Sequence, residues 1–128
     1  MLKWFLIAAG GALGSIMRYA VQGSVQDLTA SLFPFGTLAV NVTACLAIGF
    51  LGGLFAGPHG LIREEYQVGL TIGILGGYST FSTFGYETFK LANGREFGLA
   101  ALNMILSCGL GLAAVWFGYR VAERWFGV

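Results

Sequence analysis

The ten residues Gly76-Gly77-Tyr78-Ser79-Thr80-Phe81-Ser82-Thr83-Phe84-Gly85 lie inside an apolar stretch long enough to cross a membrane. The Gly76-Gly77 doublet and four Ser/Thr residues are poor material for an unbroken helix. In hydrocarbon, backbone that leaves the helix is tolerated only where it is buried in protein or lines a wet cavity. An interruption here therefore marks a site. Broken membrane helices offer carbonyl oxygens to a cation and N–H groups to an anion. The two Ser/Thr-Phe repeats add hydroxyl donors and aromatic edges, which points to ion handling near the bilayer midplane.

The rest of the chain fits a membrane protein built around that element. Of 128 residues, 56% are hydrophobic and only 10% charged, with a mean hydropathy of +0.75, where soluble domains have about a quarter charged residues. At about 20 residues per crossing there is room for four helices. The expected spans are 4–22, 35–56, 66–91 and 97–119, forming a single membrane domain. Lys3 precedes an apolar run that continues into a full span, so no cleaved leader is expected. A net charge of +1 gives no sign of a nucleic-acid partner. Cys45 and Cys108 lie in apolar segments and read as small buried hydrophobes. His59 is the only histidine, which argues against a histidine-based metal site.

Each span carries polar or small residues with a purpose to assign. In the first, Gly10/Gly14 and Gly11/Ser15 are small-xxx-small pairs that let another helix approach closely. Arg18 follows one turn later, either as a snorkelling anchor or as an anion-concentrating charge in a vestibule. Residues 23–34 read as a polar connection stopped by Pro34. In the second span, Thr37 and Asn41 share a face; Asn41 is either interhelical glue or a pore donor. Gly49 and Gly53 repeat the close-packing spacing. The third span breaks at Gly76-Gly77 and resumes at Phe81, with Glu87 late in its second half. In the fourth, Asn103, Ser107 and Gly111 form one stripe, and Arg120, Arg124 and Trp125 anchor its end.

Four spans put Lys3, Arg63, Arg120 and Arg124 on one side and Arg18, Lys90 and Arg95 on the other. Four against three sets no orientation. Such a chain is free to insert both ways and pair antiparallel with itself.

With GALGSIMRY at 11–19, GTLAVN at 36–41 and GGYSTFSTF at 76–84, the chain resembles the small fluoride-channel family, Fluc or CrcB, over essentially its whole length. The resemblance implies an all-α antiparallel homodimer in the plasma membrane, with two fluoride pores and one central Na⁺ that is not transported. Its function would be passive export of fluoride, relieving toxicity. Carried over by position, the Na⁺ ligands are the backbone carbonyls of Gly76 and Ser79. The pore phenylalanines are Phe81 and Phe84, with Ser82 and Thr83 among the hydroxyl donors, and the pore amide is Asn41. The polar track on the fourth helix falls on Asn103 and Ser107, and the vestibule arginine on Arg18. Many members have Tyr where this chain has Asn103, and a hydroxyl where it has Gly111.

These residue types suit the chemistry. Fluoride is small and tightly hydrated, so a pore must replace water with donors, which hydroxyls and an amide supply. Phe81 and Phe84, three apart, can both turn their electropositive ring edges to an anion. Lipid-facing packing is the plain alternative for both rings, and an ion-free glycine hinge is the alternative for the break. A proton-coupled exporter of the small multidrug-resistance kind is the main rival. It needs a carboxylate deep in the membrane, and the first span has none. A non-transporting scaffold subunit leaves the Asn41, Phe81 and Ser107 pattern unexplained. No nucleophile–base pair or metal-ligand cluster suggests an enzyme.

Overall fold

The computed structural model describes residues 1–57 and 62–127, which are helical apart from short connections, with no strand among them. Pro58 and His59 lie outside the described residues. Helix α1 covers Leu2–Thr29, α2 Phe35–Phe55 and α6 Phe97–Phe126. These three are long and apolar enough to cross a membrane. Between them the chain runs through α3 (Glu64–Val68), a π-helical segment (Gly69–Leu75), α4 (Gly76–Tyr78) and α5 (Phe81–Asn93). No one of these pieces is long enough to span by itself.

Two helices outrun their expected ends. Residues 23–29, read as connection, continue α1, because no proline intervenes before Pro34 and the polar side chains find local partners. The Thr29 hydroxyl reaches the carbonyls of Val25 and Gln26. The Gln26 amide donates to the carbonyls of Ser31 and Phe33 and accepts from the Gly36 N–H. The true connection is only Ala30–Pro34, with Ala30 in the left-handed region at φ 45°. At 28 and 30 residues, α1 and α6 are about 42 and 45 Å long, more than the hydrocarbon thickness, so their ends stand in the interface.

The chain's two ends of contact alternate as four crossings require. Lys3 meets Glu64 at 2.7 Å at one end, where Phe50 also packs on Phe126 with ring centroids 6.0 Å apart. At the other end Gln26, Pro34, Lys90 and Glu96 line a common cavity. The exposed Lys3–Glu64 pair contributes little to stability, although the Lys3 hydrogen bond holds the Glu64 carboxyl below its usual range.

Glycine contacts fix the packing. Helix α1 lies along the π segment and α4, and α2 lies along α6. A Cβ on Gly14 would overlap the Ile74 carbonyl oxygen, and one on Gly10 would sit 2.8 Å from the Gly69 oxygen. Between α2 and α6 the arrangement is reciprocal: Gly49 faces the Val115 carbonyl and Gly118 faces the Leu46 carbonyl. Lipid is as apolar as leucine, so close backbone approach supplies the van der Waals contact that holds such helices. The Gly10/Gly14 and Gly49/Gly53 faces are thus consumed within one chain and cannot also serve as the surface of a dimer.

Gly14→Ala is expected to cost about 1–3 kcal/mol or more through overpacking. Gly98→Ala, where a Cβ meets open space, should be neutral or slightly stabilising. Thermal unfolding in detergent measures both.

Candidate ion pathway and cation site

The chain leaves the helix at Ser79 and Thr80, not at the glycines. Gly76 and Gly77 lie in helical backbone; Ser79 (φ −77°, ψ 157°) and Thr80 (φ −151°, ψ 114°) are extended. The glycines serve packing instead: a Cβ on Gly77 would come within 2.6 Å of the Gly11 carbonyl oxygen. The departure is caused by side chains that capture backbone groups. Asn41 of α2 accepts from the Thr80 N–H at 2.9 Å and donates to the Thr80 carbonyl at 3.0 Å. The Thr80 hydroxyl, 5% exposed, caps α5 by accepting from the Thr83 N–H at 3.2 Å.

Those two captures have a consequence for the carbonyls. In an unbroken helix the N–H of residue 80 would bond the carbonyl of 76, and that of 83 the carbonyl of 79. Both donors are taken, so Gly76 and Ser79 lose their helical partners. The two residues line one cavity of about 180 Å³ on the chain surface, together with Thr71 and Cys45. Ala44, Ile48 and Leu75 complete the lining, so the oxygens available to a hard cation there are those of Gly76, Ser79 and Thr71. Among the described residues no three His, Cys, Asp or Glu side chains converge on a metal position.

At the start of α5, Phe81 projects from the chain at 83% exposure. Phe84 is half-buried, with its ring centroid 5.5 Å from that of Phe81 at 49° between planes. Ser82 is exposed, and Thr83 is half-buried beside the Thr80 hydroxyl at 3.0 Å. The Phe81 ring is therefore tilted against its neighbour and otherwise lies open on the surface of the chain.

Farther along, Asn103 of α6 is 1% exposed. Its amide donates to the Thr88 hydroxyl at 2.9 Å, and its oxygen accepts from Ser107 at 3.3 Å. Thr88 in turn donates to the Phe84 carbonyl at 2.7 Å. Asn103 and Ser107 are thus joined to α5 through Thr88, a residue the sequence reading did not single out. Gly111, next on the stripe, is buried against Cys45. Arg18 is half-buried and forms no ion pair among the described residues.

A second polar chain was also not foreseen. Gln22 donates to Thr37 at 3.0 Å, and Thr37 donates to Glu87 Oε1 at 2.9 Å, linking α1, α2 and α5. The other oxygen, Glu87 Oε2, is buried with no hydrogen-bond partner among the described residues. The signal was available: Thr37, Asn41 and Glu87 are all polar groups inside apolar spans. What the sequence could not supply was which of them face one another.

Residues 5–119 match the family described as CrcB-like protein, Camphor Resistance (CrcB). Among similar proteins, the fluoride-specific ion channel FluC of Geobacter sulfurreducens is 46% identical over 118 residues, covering 92% of this chain and 94% of that protein. Its counterpart in Geobacter metallireducens is 45% identical over 97% of this chain and 99% of its own length. A third, from Solibacter usitatus, is 39% identical over 96% and 100%.

The double grip of Asn41 on Thr80 generates a test. Asn41→Leu strands a buried N–H and carbonyl, at about 1–3 kcal/mol each, so the melting temperature in detergent should fall. Asn41→Asp keeps the acceptor for the Thr80 N–H and should fall less. A loss of ion flux with no change in melting would mean that Asn41 contributes only as a pore donor.

Proposed function

Because the chain belongs to the CrcB (Fluc) family of small fluoride-specific ion channels, we propose that it lets fluoride leave the cytoplasm passively, through pores built by two antiparallel copies. It is a multi-pass plasma-membrane protein of a channel family, not an enzyme family. The observation that carries the reading is Phe81, exposed on the chain's surface against the half-buried Phe84 and beside the exposed Ser82. Lipid gives nothing to a hydroxyl, whereas a pore wall uses it. A partly dehydrated fluoride would exchange its water for O–H and N–H donors and ring edges in succession. Asn41 keeps one amide hydrogen beyond its bond to Thr80, and Asn103 keeps one beyond Thr88. No fixed cation is needed in the narrow part, where it would hold the ion too tightly to release it. Arg18 would act earlier, concentrating anions at the mouth.

In the same reading the Gly76 and Ser79 carbonyls hold a structural Na⁺. Two oxygens per chain are an incomplete shell, and a two-fold axis would double them to four. The ion's chemistry there is electrostatic: it satisfies carbonyls that would otherwise be costly in hydrocarbon. It would tie the two break regions together without moving. The proton-coupled exporter finds less support. Glu87 is a membrane carboxylate of the kind it requires, but the relatives are named as ion channels.

Liposomes holding only this protein should release fluoride and retain chloride, at a rate independent of a proton gradient. Flux that follows the proton gradient would favour the exporter. Phe81→Ile and Phe84→Ile keep bulk but remove the ring edge. Each should reduce fluoride flux by about 10-fold or more, the equivalent of about 1.4 kcal/mol, while the dimer still assembles. Unchanged flux in both would reduce the rings to packing.

Replacing all Na⁺ by N-methylglucamine should lower fluoride flux and dimer stability together. Normal conduction without Na⁺, or Na⁺ carried along with fluoride, contradicts the structural-ion reading.

A further inference from the structure

Ser79 has a neighbour held on each side by α2. On its C-terminal side Asn41 grips the Thr80 backbone. On its N-terminal side the Tyr78 hydroxyl lies 2.8 Å from Thr43 Oγ1. The direction of that second bond follows from proton counting. Thr43 has one hydroxyl proton, already directed at the carbonyls of Ala39 (2.7 Å) and Val40 (3.0 Å). Tyr78 is therefore the donor and Thr43 the acceptor. The Tyr78 ring is 8% exposed and packs with Val40, Ala44 and Val21, so its body has a place in the core independent of the hydroxyl.

We propose that Tyr78 is a positioning residue for the cation site: by donating its hydroxyl to Thr43 it fixes the last helical residue before the break and so keeps the Gly76 and Ser79 carbonyls in register. The proposal rests on the reading that Gly76 and Ser79 hold Na⁺. The Ser79 oxygen sits on the 79–80 peptide, whose N–H Asn41 holds. The Gly76 oxygen sits on the helix end, to which Ser79 is tied by its N–H and hydroxyl bonds to the Leu75 carbonyl. With residue 78 unanchored, that helix end could shift against the clamped peptide and carry the two oxygens out of register. With both clamped, the pair of oxygens is set before the ion arrives, and preorganisation shows as affinity. Tyr78→Phe is a clean deletion. The ring keeps its packing, and Thr43 keeps its own bond to Ala39, so no buried group is stranded. Thr43→Val removes the acceptor while retaining the side chain's shape.

The measurement is the melting temperature of the purified full chain in detergent, with Na⁺ titrated against N-methylglucamine at constant ionic strength. Each variant is expected to raise the Na⁺ concentration for half-maximal stabilisation by about three- to tenfold, the worth of one hydrogen bond. Saturating Na⁺ should restore fluoride efflux to the wild-type rate. The double variant should shift no further than either single, because both remove the same bond. An unchanged midpoint with a lower melting temperature at every Na⁺ concentration would show a packing role only, and overturn the proposal. A wild-type chain whose melting ignores Na⁺ would overturn the cation reading itself, and the proposal with it.

Discussion

Backbone polar groups in hydrocarbon have no water to turn to, and this constraint organises the molecule. Everywhere but one place it is met by helix. At Ser79 and Thr80 the ladder stops, and the N–H and carbonyl of Thr80 pass to Asn41. Without that side chain the break would strand both groups. The Thr80 hydroxyl then does the same for the first turn of α5. The interruption is thus specified by two side chains, one on a neighbouring helix, and its location is a tertiary property.

That explains what could be read from sequence and what could not. The membrane class, the all-helical fold and the unusual segment all follow from composition and from GGYSTFSTFG. The position of the break within it does not, because Gly76-Gly77 looks like the weak point by propensity. Packing of Gly77 against Gly11, and of Gly14 against Ile74, holds those glycines helical. The π-helical turn over Gly69–Leu75 left no sequence signal beyond its glycines, Gly69 and Gly73, both buried against α1. Helices α1 and α6 run on past their apolar spans, whereas α2 ends where its hydropathy does. Residues 23–29 are too polar for the bilayer centre yet contain nothing to stop a helix.

The candidate site shows the same division. Asn41, Phe81, Phe84, Asn103 and Ser107 were identifiable as polar or aromatic groups in a specific motif. Thr88 and the Gln22–Thr37–Glu87 chain were not, since their meaning lies in pairing across helices. Asn41 changed most. One residue type suits both interhelical glue and pore donor, and only the geometry shows that its oxygen and one amide hydrogen are spent on the backbone.

A single subunit is self-sufficient in its packing but not in its chemistry. The Gly10/Gly14 and Gly49/Gly53 faces are used internally, between α1 and the third span and between α2 and α6. A Cβ on Gly11, by contrast, meets open space and Ser15 is exposed, so the Gly11/Ser15 face stays free. What remains on the surface is a phenylalanine residue 83% exposed, the exposed Ser82, and a cavity lined in part by Gly76 and Ser79, whose carbonyls have lost their helical donors. Exposed phenylalanine alone is ordinary in a membrane, because lipid accepts it. Carbonyls without donors are not, because each costs several kcal/mol there. The proposed second copy and ion would satisfy these carbonyls, and the aromatic pair begins two residues beyond Ser79 on the same backbone. On the proposed reading, one break in one helix accounts for both the assembly and the pore.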